Sequence, residues 1–564
     1  TIDYLFSFMK LKILLYVLLF STFYLQAQQI QVIEKDTETP LAGVIISSKN
    51  KSVITNLDGE ANLDMFSNDD LLLFDREGHN PVEIVKTDII EASNRVYLNA
   101  RVDLDEVVIS ASKFEQSKRD IPQKIISLTS KEITFLNPQT SADLLENSGN
   151  VYIQKSQLGG GSPMIRGFST NRLLITVDGV RMNNAIFRSG NLHNVISIDP
   201  LSVQNTEITL GEGSVVYGSD AIGGVMSFYT KKPQLSYKDN LYFKGNAFAR
   251  FASANTEKTA HVDLNFGLKK WAFLTSVSFS DFDDLRMGSH GPSEYLRPEY
   301  VQTVNGVDEI VKNYNPEMQV PTVFNQLSVM QKVRYEHREN LHFDFGLYFS
   351  TTSDYARYDR LLRYDDDVPR SAEWYYGPQQ WFMSNFQLTK LSSSSNLYDK
   401  IQTTIAYQNF KESRHDRNFQ SEIKNNREES VDAFSANFDF EKRLSKKTEL
   451  FYGFEYIYNI VHSKGIEENI FTGIETPTIS RYPDNSNWQS LAAYTSLKYK
   501  PKSNFIFQTG LRYNQVFSKA DFTENNQYLD LPFDESSINS GALTGTAGIS
   551  WNPNKTIQWK FNLS

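Results

Sequence analysis

The sequence predicts a mainly β protein in three parts: a small N-terminal β-sandwich, a mixed α+β domain, and an antiparallel transmembrane β-barrel. Three observations point there. From Leu241 onward, apolar and polar residues alternate with period two over about 13 segments of 9–12 residues, the length of a tilted membrane-crossing strand. The connections between these segments alternate between short turns and long loops, the habit of an outer-membrane barrel. Aromatic residues are abundant, with 38 Phe, 29 Tyr and 6 Trp, and the interfacial girdles of a barrel would absorb them. Composition also excludes other classes. The net charge of −10 argues against a nucleic-acid partner, which needs a concentrated basic surface. The absence of cysteine removes disulfide scaffolds, thiol nucleophiles and thiolate metal sites.

The single long apolar run, residues 13–25, follows Met9, Lys10 and Lys12 and is followed by Ala27. A basic start, a short apolar core and a small residue at the cut read as a secretory signal peptide; 13 residues are too few to span about 30 Å of hydrocarbon. Residues 1–27 are thus expected to be upstream residues plus signal, with the mature chain starting near Gln28. Residues 28–102 carry short β-rich runs separated by turn signals, a small sandwich pattern. Their one histidine, His79, reads as a solvated loop residue.

Residues 104–111 form a short β-branched run flanked by charge, Leu104-Asp105-Glu106-Val107-Val108-Ile109-Ser110-Ala111. Such a strand is suited to joining the open edge of another protein's sheet; it serves equally as a β-rich interdomain linker. Residues 114–232 are glycine-rich and mixed in pattern, with a short helix expected at Ser141–Leu145 behind an N-cap residue. Gly159-Gly160-Gly161 invites a phosphate-loop reading, which fails because no Gly-Lys-Ser/Thr follows. Neither a G-x-S-x-G elbow nor an H-E-x-x-H helix is present, so no enzymatic activity is expected.

Three segments in order carry a family resemblance. They are MIRGF with Arg166 and Gly167, LLITVDGVRMNN with Asp178, Gly179 and Arg181, and EITLGEGSVVYGSDAIGGVMSF with Glu207, Gly211, Tyr217, Gly218, Ala221, Gly223 and Gly224. Together, over about 120 residues, they resemble the plug domain of TonB-dependent outer-membrane receptors. The run PLAGVIISSKNKSVITNLDGEANL, with Pro40, Gly43, Thr55, Asp58 and Gly59 at its turns, resembles the non-catalytic carboxypeptidase regulatory-like domain. The resemblance implies a plug at 114–232, a barrel at 238–564, and a TonB box at Asp105, Glu106, Val107, Val108, Ile109 and Ser110. It further implies the outer membrane of a Gram-negative bacterium, surrounded by lipid. The implied partners are TonB with ExbB and ExbD, and an extracellular ligand or haem carrier protein, without a resident cofactor.

The barrel region tests that expectation independently. Ala260, Val262, Leu264, Phe266 and Leu268 alternate with His261, Asp263, Asn265, Gly267 and Lys269. Short turns at 336–340, 501–503 and 552–554 separate some strands; long segments at 283–324, 352–379, 412–429, 460–490 and 515–541 separate others. Plugged transporters of this kind close with 22 strands, so about 13 strands imply a C-terminally truncated barrel.

The substrate is less legible. Residues 180–200 resemble the haem and haemoglobin branch of the family, in which a plug histidine and a loop histidine grip haem iron; by position these are His193 and His290. Each also reads as a solvated surface residue, the commoner role of a loop histidine with no visible second ligand. Asp365, Asp366 and Asp367 are candidate calcium ligands or simply an acidic loop tip. Tyr375, Tyr376 and Trp381 are placed near the external rim, as stacking platforms or girdle anchors. The reading is import of a scarce large ligand, haem or another iron chelate. The alternatives are cobalamin or a ferric siderophore and, in other classes, a passive porin or an exported adhesin.

Overall fold

The computed structural model describes residues 29–35, 38–48, 51–76, 79–91, 93–99, 107–155, 158–186, 194–211, 213–236, 240–338, 340–554 and 557–563. The signal peptide, Asp105, Glu106 and His193 lie outside the described residues. The chain forms two compact units, Thr1–Asp103 and Leu104–Ser564.

The first unit is the expected sandwich. One sheet sets Gln29–Glu34 between Glu60–Asn62, antiparallel, and Arg95–Leu98, parallel. The other runs Lys51–Ile54, Ile45–Ser48, Leu71–Asp75, Val82–Val85, all antiparallel. Alternate residues point inward from each strand, and Val32, Val44, Ile46, Leu63, Leu72, Phe74 and Leu98 share one core. Thr55 explains its turn position: its hydroxyl donates to the Leu41 carbonyl at 2.6 Å and accepts from the Val44 N–H at 2.9 Å. His79 is buried rather than solvated, with Nε2 3.4 Å from Glu34 Oε1.

The second unit opens with the α+β domain. A five-stranded sheet orders Lys124–Thr129, Val203–Leu210, Gly224–Thr230, Leu173–Val177 and Val180–Arg181, and only the Leu173–Val177 and Gly224–Thr230 pair is parallel. Leu173–Val177 is buried along its whole length, as a strand covered on both faces must be. The helix Ser141–Glu146 begins where the sequence places it, its N-cap Thr140 sharing a reciprocal capping box with Asp143.

Around this domain runs a sheet of thirteen consecutive antiparallel strands, from Tyr242–Ala252 to Trp559–Leu563. All thirteen segments read from the alternation are strands. Their burial is inside out. In Glu257–Gly267 the polar Glu257, Thr259, His261, Asp263 and Asn265 are buried, while Ala260, Val262 and Phe266 are exposed. A soluble sandwich would bury the other face; a barrel crossing lipid presents the apolar one outward. The outward aromatics stack from strand to strand near the short turns: Trp271 on Tyr335 at 4.3 Å, Tyr335 to Phe343 at 6.3 Å, Phe343 to Phe386 at 5.8 Å.

Two further expectations are corrected. The segments 412–429, 460–490 and 515–541 are largely strand rather than loop: Lys400–Asn418 and Ile423–Ser445 are joined by four residues, and Thr448–Asn469 has 22 residues. Outside the bilayer neither strand face needs an apolar surface, so pairing continues where alternation fades. Trp381 is buried on the inward face, its Nε1 donating to Gln408 Oε1 at 3.1 Å, and is therefore no girdle anchor.

Candidate functional site

The inner domain is fixed to the wall by charges that the lumen removes from water. Asp178 and Gly179 are the central residues of a hairpin, with φ of 48° and 82°, the left-handed pair that an Asp-Gly turn supplies. That turn aims the Asp178 carboxylate at the wall. It lies 2.8 Å from Lys332 Nζ, accepts the Tyr348 hydroxyl, and accepts the Thr230 N–H at 2.9 Å and hydroxyl at 2.6 Å. Just past the turn, Arg181 pairs with Asp220 within its own domain, donates to the Tyr217 carbonyl, and lies 3.7 Å from Glu455 of the wall. Arg512 reaches the same Glu455 at 2.6 Å and donates to the Val216 carbonyl at 3.2 Å. A side chain at Gly218 would press on that guanidinium, its Cβ 3.1 Å from Arg512 Nη2. Of the other motif glycines, Gly223 packs on the Phe168 ring, Gly224 lies against the Thr209 carbonyl, and Gly211 ends its strand in open space. Arg166 and Gly167 form the exposed turn between Ser162–Ile165 and Phe168–Ser169.

The run read as an isolated strand is docked. Val107–Val108 pairs antiparallel with Gln116–Ser117. Beyond it the backbone N–H groups of Ile109 and Ser110 donate to the Glu207 carboxylate, the Ser110 contact at 2.8 Å, and the Ser110 and Thr209 hydroxyls lie 3.1 Å apart. Glu207 thus answers two backbone donors that would otherwise be buried without partners. Lys113 then reaches Asp439 of the wall at 3.0 Å.

The two ends of the inner domain differ. Next to the docked run, Asp120 contacts Lys500 at 2.6 Å and Arg119 donates to the Asn554 carbonyl at 3.0 Å, both wall residues beside short turns. At the opposite end Asp199 accepts the Ser278 hydroxyl at 2.6 Å, and the Ile196 carbonyl accepts from Gln326 at 2.7 Å, where the wall enters the long 283–323 excursion. Short turns mark the periplasmic side and long loops the external side.

On the external side His290 is exposed, with Ser289 Oγ 3.4 Å from its Nδ1. Asp366 and Asp367 occupy a tight turn at φ of 49° and 65°, beside the short pair Tyr364–Asp365 and Val368–Pro369. Among the described residues no group of three His, Cys, Asp or Glu is arranged to hold a metal ion. Tyr375 stacks on His415 at 4.6 Å, and Tyr376 lies 5.8 Å from Tyr355.

The hairpin Glu299–Val304 and Val307–Lys312 is clamped to the rim by Arg417. Its guanidinium, fully buried, meets Asp308 at 2.7 and 2.9 Å, Glu373 at 2.8 Å and Thr303 Oγ1 at 2.8 Å. Burial raises the Asp308 carboxyl, but the bonds from Arg417, Thr303 and the Gln420 N–H outweigh it and hold it below its ordinary value. A carboxylate depressed in the folded state contributes above its unfolded value, near 4, and is lost as pH falls through the folded one. The protection of residues 299–312 against hydrogen exchange, taken relative to the intrinsic rate at each pH, should therefore be high at neutral pH and fall below about pH 4. In Arg417→Met protection should be low at neutral pH, since Asp308 is left buried without its cation, a loss of about 3–5 kcal/mol. Unchanged protection in that variant would refute the clamp.

Lys332, Tyr348, Glu455, Arg512, Asp308 and Arg417 carry these contacts without any local sequence signal.

An inner α+β domain held by charge within an inside-out β wall defines a plugged outer-membrane barrel. Residues 117–225 match the TonB-dependent receptor plug domain, and residues 385–564 the outer membrane protein beta-barrel family. The chain belongs with the TonB-dependent receptors of the Gram-negative outer membrane. It is similar to the vitamin B12 transporter BtuB of Vibrio vulnificus, 36% identical over 129 residues, covering 22% of this chain and 20% of that protein. The vitamin B12 transporter BtuB of Photobacterium profundum is 29% identical over 128 residues, again 22% and 20%. The chain thus matches about a fifth of the length of these relatives. Among solved structures, the copper transporter OprC superposes with a TM-score of 0.58 at 13% identity, covering 76% of this chain and 61% of that one. The ferric yersiniabactin uptake receptor FyuA of Yersinia pestis gives 0.57 at 14%, covering 79% and 65%. The hemophore receptor HasR of Serratia marcescens, in complex with its hemophore HasA and heme, gives 0.54 at 15%, covering 77% and 62%.

Proposed function

We propose that this protein imports a scarce, large ligand across the outer membrane, driven by TonB with ExbB and ExbD. Ligand binds at the external loops and plug apex; TonB pairs with the 105–110 segment below and draws part of the plug aside. The observation that carries this reading is polarity. The strand that would meet TonB and the apex that would meet ligand lie at opposite ends of one plug, and the Val203–Leu210 strand bearing Glu207 runs within it. A passive porin is disfavoured by the lumen, where plug and wall share one apolar core that includes Ile175, Met226, Met330 and Phe410. The sandwich at 28–102, in this reading a carboxypeptidase regulatory-like domain, is a periplasmic appendage without catalysis.

The cargo is haem or another iron chelate, a reading supported by the haem and yersiniabactin receptors among the structural neighbours. Cobalamin is the second reading, supported by the similarity to vitamin B12 transporters. Accumulation of haemin, ferric citrate and cyanocobalamin in cells with and without TonB tests both. One of the three should accumulate only with TonB, and TonB-independent entry would overturn import. For haem, a Soret titration of the purified protein should show saturable binding, weakened by His193→Ala or His290→Ala. Binding indifferent to both removes these histidines from the site.

A further inference from the structure

At one place in the external mouth three arginines share a single carboxylate among the described residues. Arg357, Arg360 and Arg414 surround the Trp374 ring, their guanidinium carbons 5.6, 6.0 and 5.3 Å from its centroid. Arg357 and Arg414 also lie 5.7 and 5.5 Å from the Tyr376 ring. Like charges this close repel, and among the described residues the carboxylate that pairs with them is Asp359, which bonds Arg357 Nε and lies 3.9 Å from Arg360 Nε. The neighbouring acids are engaged elsewhere: Glu373 with Arg417 and Lys424, Asp416 with Arg427, Glu412 with Arg481. Two buried donors, Arg360 Nε and Arg414 Nε, have no hydrogen-bond partner among the described residues. Burial, and then the adjacent Arg363 and Arg357, lower the proton affinity of Arg360.

Register places the cluster toward the lumen. Arg414 stands opposite Tyr376, and Asp416 opposite Trp374; these positions continue the even-numbered face of Thr404, Ala406, Gln408 and Phe410, where Gln408 donates to the Arg181 carbonyl of the plug. Below the cluster, Tyr355 pairs with Tyr376 and packs on the plug loop. A Cβ at Gly159 would stand 3.0 Å from the Tyr355 ring, and Leu158 shares an apolar cluster with Tyr355 and Tyr376. The glycine run that fails as a phosphate loop permits this close approach at Gly159.

We propose that Arg357, Arg360 and Arg414, with Trp374 and Tyr376, form an anion-binding subsite in the external mouth that takes a polycarboxylate, with the plug loop at 158–161 beneath it. Planar guanidinium forks match carboxylates two bonds at a time, and the orphaned donors turn from a cost into contacts when such a group enters. The inference deepens the import reading and rests on it for its biological meaning: the cargo is a carboxylate-bearing chelate, captured directly above the part of the plug that must respond.

The test uses the purified protein, with citrate as probe and Trp374 fluorescence, isolated by difference from Trp374→Phe, as readout. Citrate should give a saturable change, and iodide should quench Trp374 more strongly than caesium until citrate displaces it. Arg360→Gln and Arg414→Gln should each weaken citrate about tenfold, the loss of one charge-assisted contact, with heat-modifiable gel mobility unchanged. No saturable response, or equal affinity in the variants, overturns the subsite while leaving TonB-dependent uptake standing. Conversely, TonB-independent entry would overturn import without disturbing the citrate titration.

Discussion

Replacing Val107 with proline should abolish energised uptake while leaving ligand affinity within about twofold of the parent. Proline has no backbone N–H and fixes φ, so it can neither donate to a ladder nor extend one from within. In the resting protein Val107 belongs to a pair of only two residues per strand, Val107 opposite Ser117 and Val108 opposite Gln116. The next two residues are held by Glu207 rather than by the ladder. The substitution therefore costs the folded plug little but removes the edge that a partner strand needs. The external face lies at the far end of the plug and has no contact with residue 107. Uptake and equilibrium binding measured on the same cells separate the two effects; normal uptake would mean the segment TonB engages lies elsewhere.

The second large effect is expected at Asp178. Asp178→Ala leaves Lys332, itself buried, without its carboxylate and strands the Tyr348 hydroxyl and Thr230 donors. Removing one partner of a buried pair costs about 3–5 kcal/mol. The loss falls on the plug–wall interface, so the plug should loosen in urea well before the wall unfolds. Cells carrying the variant should also admit vancomycin, which an intact plug excludes. Asp178→Ala with Lys332→Met should recover part of the loss, because the stranded cation disappears with it. If the double variant is as loose as the two single losses added together, the pair does not anchor the plug.

The wall was legible because lipid and lumen impose opposite demands on successive residues, and thirteen segments show it. Legibility ends where the bilayer ends. In 423–430, IKNNREES, both strand faces carry polar side chains, so the hairpin leaves no alternation to read. Trp381-Phe382-Met383 is apolar on both faces, and only the register shows that Trp381 points inward. In the plug, the Asp-Gly turn of Asp178 was readable as local chemistry and as family wording, whereas its partner Lys332 lies 154 residues away. Arg417 and Asp308 are separated by 109 residues. No periodicity reports such a pairing, because it exists only after the sheet has formed. The docking of Ile109 and Ser110 on Glu207 was hidden for the same reason.

The length of the outer hairpins bears on how the proposed cargo would be caught. Ile423–Ser445 runs 23 residues, roughly 75 Å of strand at about 3.3 Å per residue, where about 9–11 residues suffice to cross the bilayer. Much of the mouth is thus laddered backbone, and the hairpin at 299–312 is pinned to it by Arg417. A mouth ordered before cargo arrives loses little conformational entropy on capture, so a few well-placed contacts yield useful affinity. The same rigidity narrows the range of shapes that fit: in the proposed import, selection would fall to fit at the rim, before any energy is spent below.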